Sequence, residues 1–367
     1  MRLAWRELRR TPRRFLPTTA ALALLVILLL VLGGLLDGLY NGSTGALRAQ
    51  ESDLVVYSKP SRDSIIRSRI DEATRDTIAG VDGVADTYGM GIALVGARVP
   101  GEDELADVAV IGYEGAVDGV PAPPGPGEAW ADSSLEADGV EEGDRLLLGP
   151  ERVPVTVRGF VDDTSYLQQG GLWVEPETWR QVLNRSRPGS AVEDGTFQVV
   201  WVDAADGADV DEVGRRIDDA TGTTSTLTRG DAILALPGID AQNTTFTQII
   251  FVTFVVAGLV VALFFALLTL ERTGLFAVLK AVGASSWQLI AGLALQALVV
   301  SAAAFVIGGL LTLLLSLGIP DSVPLDLTVS RAVFVAVGVL VMAVIGGAIS
   351  LRRIVRIDPA SVVGAGV

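Results

Sequence analysis

An uncharged apolar run from Phe15 to Leu36 follows a strongly basic N-terminus, and this pairing constrains the chain more than any other feature. The hydrocarbon core of a bilayer is about 30 Å thick and needs roughly 20 apolar helical residues to cross it. Phe15–Leu36 supplies that length. By the positive-inside rule, the arginines that precede it should hold the N-terminus in the cytoplasm. They are Arg2, Arg6, Arg9, Arg10, Arg13 and Arg14.

Three more apolar runs, Ile249–Leu270, Leu289–Leu317 and Ala332–Leu351, lie in the last third of the chain, and each is long enough to span a membrane. Residues 41–243 contain no run of that length. The sequence therefore predicts a membrane α-helical protein with four transmembrane helices in a 1+3 arrangement. A mixed α/β extracytoplasmic domain is inserted after the first helix, and both termini are cytoplasmic.

The predicted segments follow from these runs. They are a cytoplasmic basic helix (1–14), transmembrane helix 1 (15–40), the extracytoplasmic α/β domain (41–243), transmembrane helix 2 (244–270), a cytoplasmic helix (271–288), transmembrane helix 3 (289–318), an extracytoplasmic loop (319–330), transmembrane helix 4 (331–351) and a cytoplasmic tail (352–367).

The distribution of charge agrees with this orientation. Residues 41–243 hold 37 of the 43 acidic and 16 of the 28 basic side chains, a net charge of −21. The three segments assigned to the cytoplasm, 1–14, 271–288 and 351–367, hold 11 basic and 3 acidic side chains. The overall charge of −15 thus combines two opposite populations sorted by the predicted side of the membrane. An acidic chain of this kind is not expected to bind nucleic acid.

Composition excludes several kinds of chemistry. The chain has no cysteine and no histidine, so disulfides, Ser-His-Asp triads and His-ligated metals are ruled out. Neither lysine, Lys59 or Lys280, completes a phosphate-binding loop. We therefore expect no catalytic residue, metal or cofactor in this chain, and any ATP to be bound by a partner. The preference for arginine over lysine, with abundant alanine, glycine and valine, suggests a GC-rich bacterial genome. With four predicted spans, we expect the protein in the bacterial plasma membrane.

The exterior segment has short β-branched runs between turn residues, and two stretches have helical spacing. The predicted strands are Leu54–Tyr57, Val108–Tyr113, Val153–Val161 and Gln198–Val202, and the predicted helices are Ser64–Ala79 and Val210–Thr221. The Pro/Gly-rich stretch Val120–Gly127 predicts a loop that divides the segment. Adjacent carboxylates such as Asp162 and Asp163 point in different directions on any regular element, so they predict no acid–base pair.

Between the second and third spans the chain reads ERTGLFAVLKAVGASSWQ, from Glu271 to Gln288. Leu275, Val278, Leu279 and Val282 repeat at helical spacing, which predicts a short amphipathic helix at the inner face of the membrane. A simple interfacial turn is the alternative that the spacing alone leaves open.

This loop resembles that of the MacB/FtsX-like (type VII-like) permeases of ABC transporters, whose pattern is E-R-x-x-E-[IFL]-[AG]-[VIL]-L-[KR]-A-[LVI]-G-[AM]-[ST]. Gly274 replaces the second acidic position of that pattern. The tail from Arg356 to Val362, with its Pro-Ala pair, and the stretch from Trp5 to Arg14 are also similar to that family.

The resemblance implies a permease that works as a homodimer in membrane lipid and couples to a dimer of ABC ATPase subunits, which bind ATP and Mg²⁺. It assigns ATPase coupling to Glu271, Arg272, Leu275, Phe276, Val278, Leu279, Lys280 and Gly283. It further implies that small residues in spans three and four allow close helix packing. These are Gly308, Gly309, Gly346 and Gly347.

Substrate contacts are expected at the outer ends of the first two spans. Asp37 and Tyr40 end the first span and Gln248 begins the second. One branch of the family exports haem. In a chain without histidine or cysteine, the iron would need Asp37, Tyr40 or Met342 as a ligand, although Met342 also suits packing.

Three functions follow as hypotheses. The first is export of a hydrophobic or amphipathic substrate such as haem, lipid, peptide or drug. The second is an FtsX-type mechanotransmitter that activates an extracytoplasmic cell-wall enzyme without transport. The third is a tethered enzyme or receptor whose helices only anchor it, and the amphipathic loop argues against this one.

Overall fold

A computed structural model describes residues 12–271, 285–320 and 323–355, together with positions 274, 278 and 282. The described helices are α1 Pro12–Arg48, α2 Glu72–Ala79, α3 Pro176–Ser186, α4 Val210–Thr221, α5 Arg229–Leu234, α6 Ile239–Glu271, α7 Ser286–Ser316 and α8 Val329–Val355. The described strands are β1 Leu54–Ser58, β2 Val84–Arg98, β3 Leu105–Tyr113, β4 Glu128–Asp132, β5 Arg145–Leu148, β6 Val153–Val161, β7 Gly170–Val174, β8 Val199–Ala204 and β9 Thr224–Thr228.

The chain divides into two compact units. A membrane unit comprises the described residues of Met1–Gly38 and Asn243–Val367, and an exterior unit comprises Leu39–Gln242. Helices long and apolar enough to cross a membrane are found at Phe15–Arg48, Ile239–Glu271, Ala291–Ser316 and Val329–Gly346. The predicted fold class, four spans with an inserted α/β domain, is confirmed.

Close helix contacts in the membrane unit occur at glycines. A Cβ on Gly308 of α7 would lie 2.8 Å from the carbonyl oxygen of Ala23 on α1. A Cβ on Gly346 of α8 would lie 2.4 Å from the carbonyl oxygen of Gly258 on α6. These two glycines let the helix backbones touch, as small residues do between membrane helices. Among the described residues, no atom outside its own helix lies within 4 Å of a Cβ built on Gly309.

The exterior unit is built on a nine-stranded sheet in the order β3-β7-β4-β6-β5-β2-β8-β1-β9. The long strand β2 also pairs with β3, from Met90↔Tyr113 to Arg98↔Leu105. This additional pairing closes β2, β3, β7, β4, β6 and β5 into a six-stranded ring. The first half of β2 extends beyond the ring and pairs with β8. There β2, β8, β1 and β9 form a four-stranded antiparallel sheet.

Alternate residues of the ring strands fill its interior, as the two-residue period of a strand requires. Val153, Val155 and Val157 of β6 are all buried in one apolar cluster with Trp179 and Leu183 of α3. Gly91 and Gly112 face each other across β2 and β3, and a Cβ on either would collide with Trp179. The glycines thus make room for an indole at the base of the ring.

The four-stranded extension packs against α2 and α4. Val56 and Val200 share a buried cluster with Ile78 of α2 and with Val213 and Ile217 of α4. Aspartates cap both helices: Asp71 accepts from the amide of Thr74, and Asp209 accepts from the amide of Glu212.

The sequence located α4 at its observed bounds, and β1, β3, β6 and β8 fall on the four predicted strands. The predicted helix Ser64–Ala79 is wrong in its first half, because Ile70 pairs with Phe197 and the helix begins only after the Asp71 cap. The Val120–Gly127 stretch is a loop, but it lies between β3 and β4, two strands of the same ring, so it does not divide the domain.

Candidate functional site

The outer ends of α1 and α8 are joined by an ion pair between Asp37 and Arg331. Nε of Arg331 donates to Oδ2 of Asp37 at 2.8 Å, and its terminal nitrogen donates to Oδ1. The two side chains are only 22% and 20% exposed. This bidentate, charge-assisted geometry is the strongest that an arginine and a carboxylate can form.

Glycines of α1 create the space for this pair and for the segment before α8. A Cβ on Gly33 would lie 2.7 Å from Cδ of Arg331, and one on Gly38 would lie 2.1 Å from the carbonyl oxygen of Pro324. The carbonyl of Gly34 accepts from the amide of Asp326 at 3.0 Å. The segment before α8 therefore lies directly on the α1 backbone. We call this arrangement, Asp37 and Arg331 over Gly33, Gly34 and Gly38, the outer clasp.

Thr328 completes the outer clasp from the start of α8. Its hydroxyl oxygen accepts from the backbone amide of Arg331 at 3.2 Å, which is the geometry of a helix cap. The same oxygen lies 3.5 Å from Oδ2 of Asp37. The cap fixes the first turn of α8 and so places Arg331 opposite Asp37.

The predicted substrate residues thus have different surroundings. Asp37 is already held by Arg331, so a cation would have to displace a guanidinium to reach it. Gln248 is exposed on α6, and no hydrogen bond joins it to Asp37 in the part of the chain that is described. Tyr40 belongs to the exterior unit, where it is half-buried against the apolar core. Met342 packs on Gly258, as a space-filling methionine would.

In the exterior unit, the end of α1 is bound to the loop 163–168. The amides of Leu167 and Gln168 donate to the carbonyls of Ser43 and Gly42 at 3.1 and 2.9 Å. The side-chain amide of Gln168 donates to the carbonyl of Leu39 at 2.7 Å. Leu167 and Gln168 both have positive φ, an uncommon conformation that the surrounding contacts must maintain.

Asp132, the last residue of β4, holds the same loop from the other side. Its carboxylate accepts from the amide and the hydroxyl of Thr164, both at 2.7 Å, and from the hydroxyl of Ser165 at 3.1 Å. Ser134 adds an amide donor at 3.0 Å and a hydroxyl donor at 2.5 Å. Asp132 is 2% exposed, so five hydrogen bonds compensate for burial of its charge. We call Asp132 and the loop 163–168 the α1 joint.

Apolar packing reinforces the α1 joint. Tyr166, in the middle of the loop, is 2% exposed and belongs to the same core cluster as Leu47 of α1 and Trp173 of β7. Burial raises the pKa of the Tyr166 hydroxyl above its usual value, so it stays neutral. The end of α1 is therefore attached to the six-stranded ring by both polar and apolar contacts.

The predicted cytoplasmic helix is described only in part. Glu271 ends α6 and is exposed. The amide of Val282 donates to the carbonyl of Val278 at 3.0 Å, a spacing that a helical turn produces. Both valines are exposed, at 53% and 82%. The other predicted coupling residues lie outside the described residues: Arg272, Leu275, Phe276, Leu279, Lys280 and Gly283.

Sequence reasoning missed Arg331 and Asp132. Arg331 could have been found as a lone cation at the outer edge of span four, opposite the lone Asp37 at the outer edge of span one. The local contact of Asp132 with Ser134 indicates only a turn, and its partners Thr164 and Ser165 are more than 30 positions away in sequence.

Comparison with known proteins bears on the region from the second span to the tail. Residues 248–359 match the family described as FtsX-like permease C-terminal. The chain carries an FtsX-like permease domain. The resemblance seen in the loop and tail is thereby confirmed, and the match includes most of the second span and all of the third and fourth.

Proteins with a similar sequence include ABC transporter permeases. A putative hemin transport system permease protein HrtB from Staphylococcus epidermidis is 21% identical over 368 residues, covering all of both chains. An uncharacterized ABC transporter permease from Mycobacterium tuberculosis is 30% identical over 247 residues, which is 66% of this chain and 63% of the relative.

Two solved structures are similar to part of the chain. The extracellular domain of the noncanonic ABC-type transporter YknZ from Gram-positive bacteria covers 48% of this chain and 98% of its own, with 15% identity and a TM-score of 0.33. The periplasmic region of MacB from Actinobacillus actinomycetemcomitans covers 49% and 90%, with 11% identity and a TM-score of 0.34.

Proposed function

We propose that this chain is the permease subunit of an ABC-type exporter that expels a hydrophobic or amphipathic substrate, with ATP hydrolysed by a separate ATPase. The observation that carries the proposal is the FtsX-like match across residues 248–359, which includes the loop between the second and third spans. Similarity to putative hemin transport permeases over the full length of both chains adds support.

The ATPase would dock on the loop 271–288. Val278 and Val282 present exposed apolar side chains there, and covering them is a source of binding free energy. Glu271, Arg272, Leu275, Phe276, Leu279, Lys280 and Gly283 would complete the contact. ATP-driven closure of two ATPases would then move α6 and α7 in a homodimer of this chain, with both chain termini in the cytoplasm.

Movement would be passed on through α1. The outer clasp joins α1 to α8 within the membrane unit, so these two helices would move together. The α1 joint ties residues 39–48 of the same helix to the ring of the exterior unit. Because α1 is one helix from Pro12 to Arg48, a displacement along it would reach the α1 joint.

Haem is one substrate to test, because relatives are named for hemin transport. Neither Asp37 nor Met342 is placed as an open iron ligand, since one is held by Arg331 and the other packs on Gly258. Recognition of haem by this chain would therefore depend on the apolar macrocycle and the propionates, with Tyr40 as a remaining oxygen donor.

The deciding experiment is ATP hydrolysis by the chain co-purified with its ATPase in lipid nanodiscs, titrated with haem, amphipathic peptides and lipids. An exporter should show stimulation that saturates with one compound class. A stable complex that hydrolyses ATP but ignores every compound would instead support the mechanotransmitter. Deletion of 274–285 is the control: it should abolish ATPase binding, and normal binding without this loop would overturn both functions.

A further inference from the structure

An open groove lies on the exterior unit, where the end of β2, the turn between β5 and β6 and the end of α3 meet. Its volume of about 520 Å³ is in the range of small-molecule sites. Arg98, Arg152 and Arg187 line it, and no carboxylate is among the lining residues. Glu151 lies in the same turn as Arg152 but does not line the groove.

The three arginines contrast with the domain around them. Residues 41–243 carry a net charge of −21, and other arginines there pair with carboxylates, as Arg75 does with Glu114. Within the described chain, Arg98, Arg152 and Arg187 have no carboxylate within 4.0 Å. They are exposed and form a local positive patch on an acidic domain.

Another arginine, Arg69, lies close enough to Arg187 for the two charges to repel. Burial lowers the pKa of Arg69 below its usual value, and repulsion from Arg187 adds to this effect. A second hollow adjoins the groove at Arg98 and Leu147, and there Arg145 lies with Glu102 and Asp103. The surplus of positive charge is therefore confined to the first hollow.

Apart from Ser186, the other side chains that line the groove are apolar. Leu94, Leu147 and Pro150 line it, and Leu105 lies at its edge with 56% of its surface exposed. A site with guanidinium groups above an apolar surface matches a molecule with one charged end and an apolar body. Guanidinium groups form planar, charge-assisted hydrogen bonds with carboxylate, sulfonate and phosphate oxygens.

We propose that this groove binds a small amphipathic anion, with its acidic group on Arg98, Arg152 and Arg187 and its apolar body against Leu105 and Leu147. Binding at this site requires neither the ATPase nor transport. If the groove does not bind an anion, the proposed export function is unaffected. If the chain is not an exporter, the proposal for the groove is likewise unaffected.

The test uses the full chain in nanodiscs of zwitterionic lipid, without ATPase, and naphthalene-2-sulfonate as the probe. Isothermal titration calorimetry, with empty nanodiscs subtracted, should show saturable binding. The matched cation 2-naphthyltrimethylammonium should not bind. The double variant Arg152→Gln/Arg187→Gln should raise the Kd about tenfold or more, because it loses charge-assisted hydrogen bonds.

Two further variants make the result decisive. Leu105→Asp should also raise the Kd, although it leaves all three arginines in place. Arg215→Gln removes the same charge from α4, where Arg215 pairs with Glu212, and should leave the Kd unchanged. The proposal is overturned if the probe does not saturate, if the cation binds equally, or if the double variant binds like the wild type. Binding of hexaglutamate without binding of the probe would also overturn it, in favour of an acidic protein partner.

Discussion

Arg331 donates hydrogen bonds to both carboxylate oxygens of Asp37, so a single guanidinium joins the outer end of the first span to the first turn of the fourth. The pair is about four-fifths buried, and Thr328 and Gly33 lie against it. In such a setting, removing one partner lowers the free energy of unfolding strongly, because the remaining charge is left buried without compensation. The ion pair therefore fixes a contact between α1 and α8, two helices that are distant in sequence.

Replacing either partner of the pair should destabilise the membrane unit. We expect Asp37→Asn and Arg331→Gln each to lower the free energy of unfolding by about 1–3 kcal/mol, between the values for exposed and fully buried pairs. The double variant should lose less than the sum of the two, because neither charge is then left alone. Unfolding of the full chain by sodium dodecyl sulfate in mixed micelles measures all three.

The same variants separate a structural role of Asp37 from a substrate role. If the outer clasp is what matters, Asp37→Asn and Arg331→Gln should reduce substrate-stimulated ATP hydrolysis to a similar extent. If Asp37 binds substrate directly, Asp37→Asn should abolish stimulation while Arg331→Gln retains it. Strictly additive losses of stability would contradict the existence of the clasp.

A methyl group at Gly38 should interfere with the segment before α8. The Cβ of an alanine there would lie 2.1 Å from the carbonyl oxygen of Pro324, so backbone must move. We expect Gly38→Ala to cost about 1–3 kcal/mol of stability. Gly309→Ala is the matched control, because no atom of the other described helices and loops lies within 4 Å of its Cβ and alanine favours helix. Equal effects of both substitutions on detergent unfolding would disprove the close contact.

The sequence predicts the spans well because the bilayer imposes a length and an apolar composition that can be counted directly. It predicts β1, β3, β6 and β8 because runs of β-branched residues mark buried strands. The longest strand, β2, was missed. Its glycines lower strand propensity, and the structure shows why they are there: Gly89 lies under Phe197 and Gly91 under Trp179.

The candidate site could be predicted only in part. Asp37 stands out in the sequence as a charge at the end of a span, but its partner Arg331 is 294 positions away. The outer clasp depends on how the helices pack, which no local pattern encodes. The α1 joint was missed for the same reason, since Asp132 at the end of β4 meets Thr164 and Ser165 only in the folded domain.

The pH dependence of stability should reveal a carboxylate with a raised pKa in the exterior unit. Partial desolvation raises the pKa of Asp138 above its usual value, although the side chain is exposed, and repulsion from Asp107 adds to this. The folded state therefore holds the proton to higher pH than the unfolded chain does. Stability from this group is present below the usual pKa of an aspartate, about 4, and is lost as pH rises through the raised value.

Asp138→Asn should accordingly raise the melting temperature at pH 7 and give no gain at about pH 3, where the carboxyl is already neutral. Thermal unfolding followed by tryptophan fluorescence checks both conditions. Asp206→Asn, which removes the same charge from an exposed loop position, is the control. A gain for Asp138→Asn that is the same at both pH values would contradict the explanation.

The α1 joint leads to a prediction that connects local structure to coupling. Asp132→Asn keeps the shape of the side chain but leaves an amide facing the donors of Thr164, Ser165 and Ser134, so buried hydrogen bonds are lost. We expect a loss of about 2–4 kcal/mol in stability. Asp162→Asn is the control, since Asp162 is exposed and, among the described residues, its carboxylate accepts one hydrogen bond, from the hydroxyl of Ser133 at 2.6 Å.

Hydrogen exchange locates the effect. In Asp132→Asn, the amides of Leu167 and Gln168 should exchange faster, because they bond to the carbonyls of Ser43 and Gly42 only while the loop holds its positive-φ conformation. Amides of β6, inside the ring, should keep their protection. In complex with the ATPase, basal hydrolysis should remain while substrate stimulation falls, because the end of α1 no longer moves the ring. Unchanged exchange at Leu167 and Gln168 would show that Asp132 does not hold the loop, and full stimulation despite faster exchange would show that coupling bypasses the α1 joint.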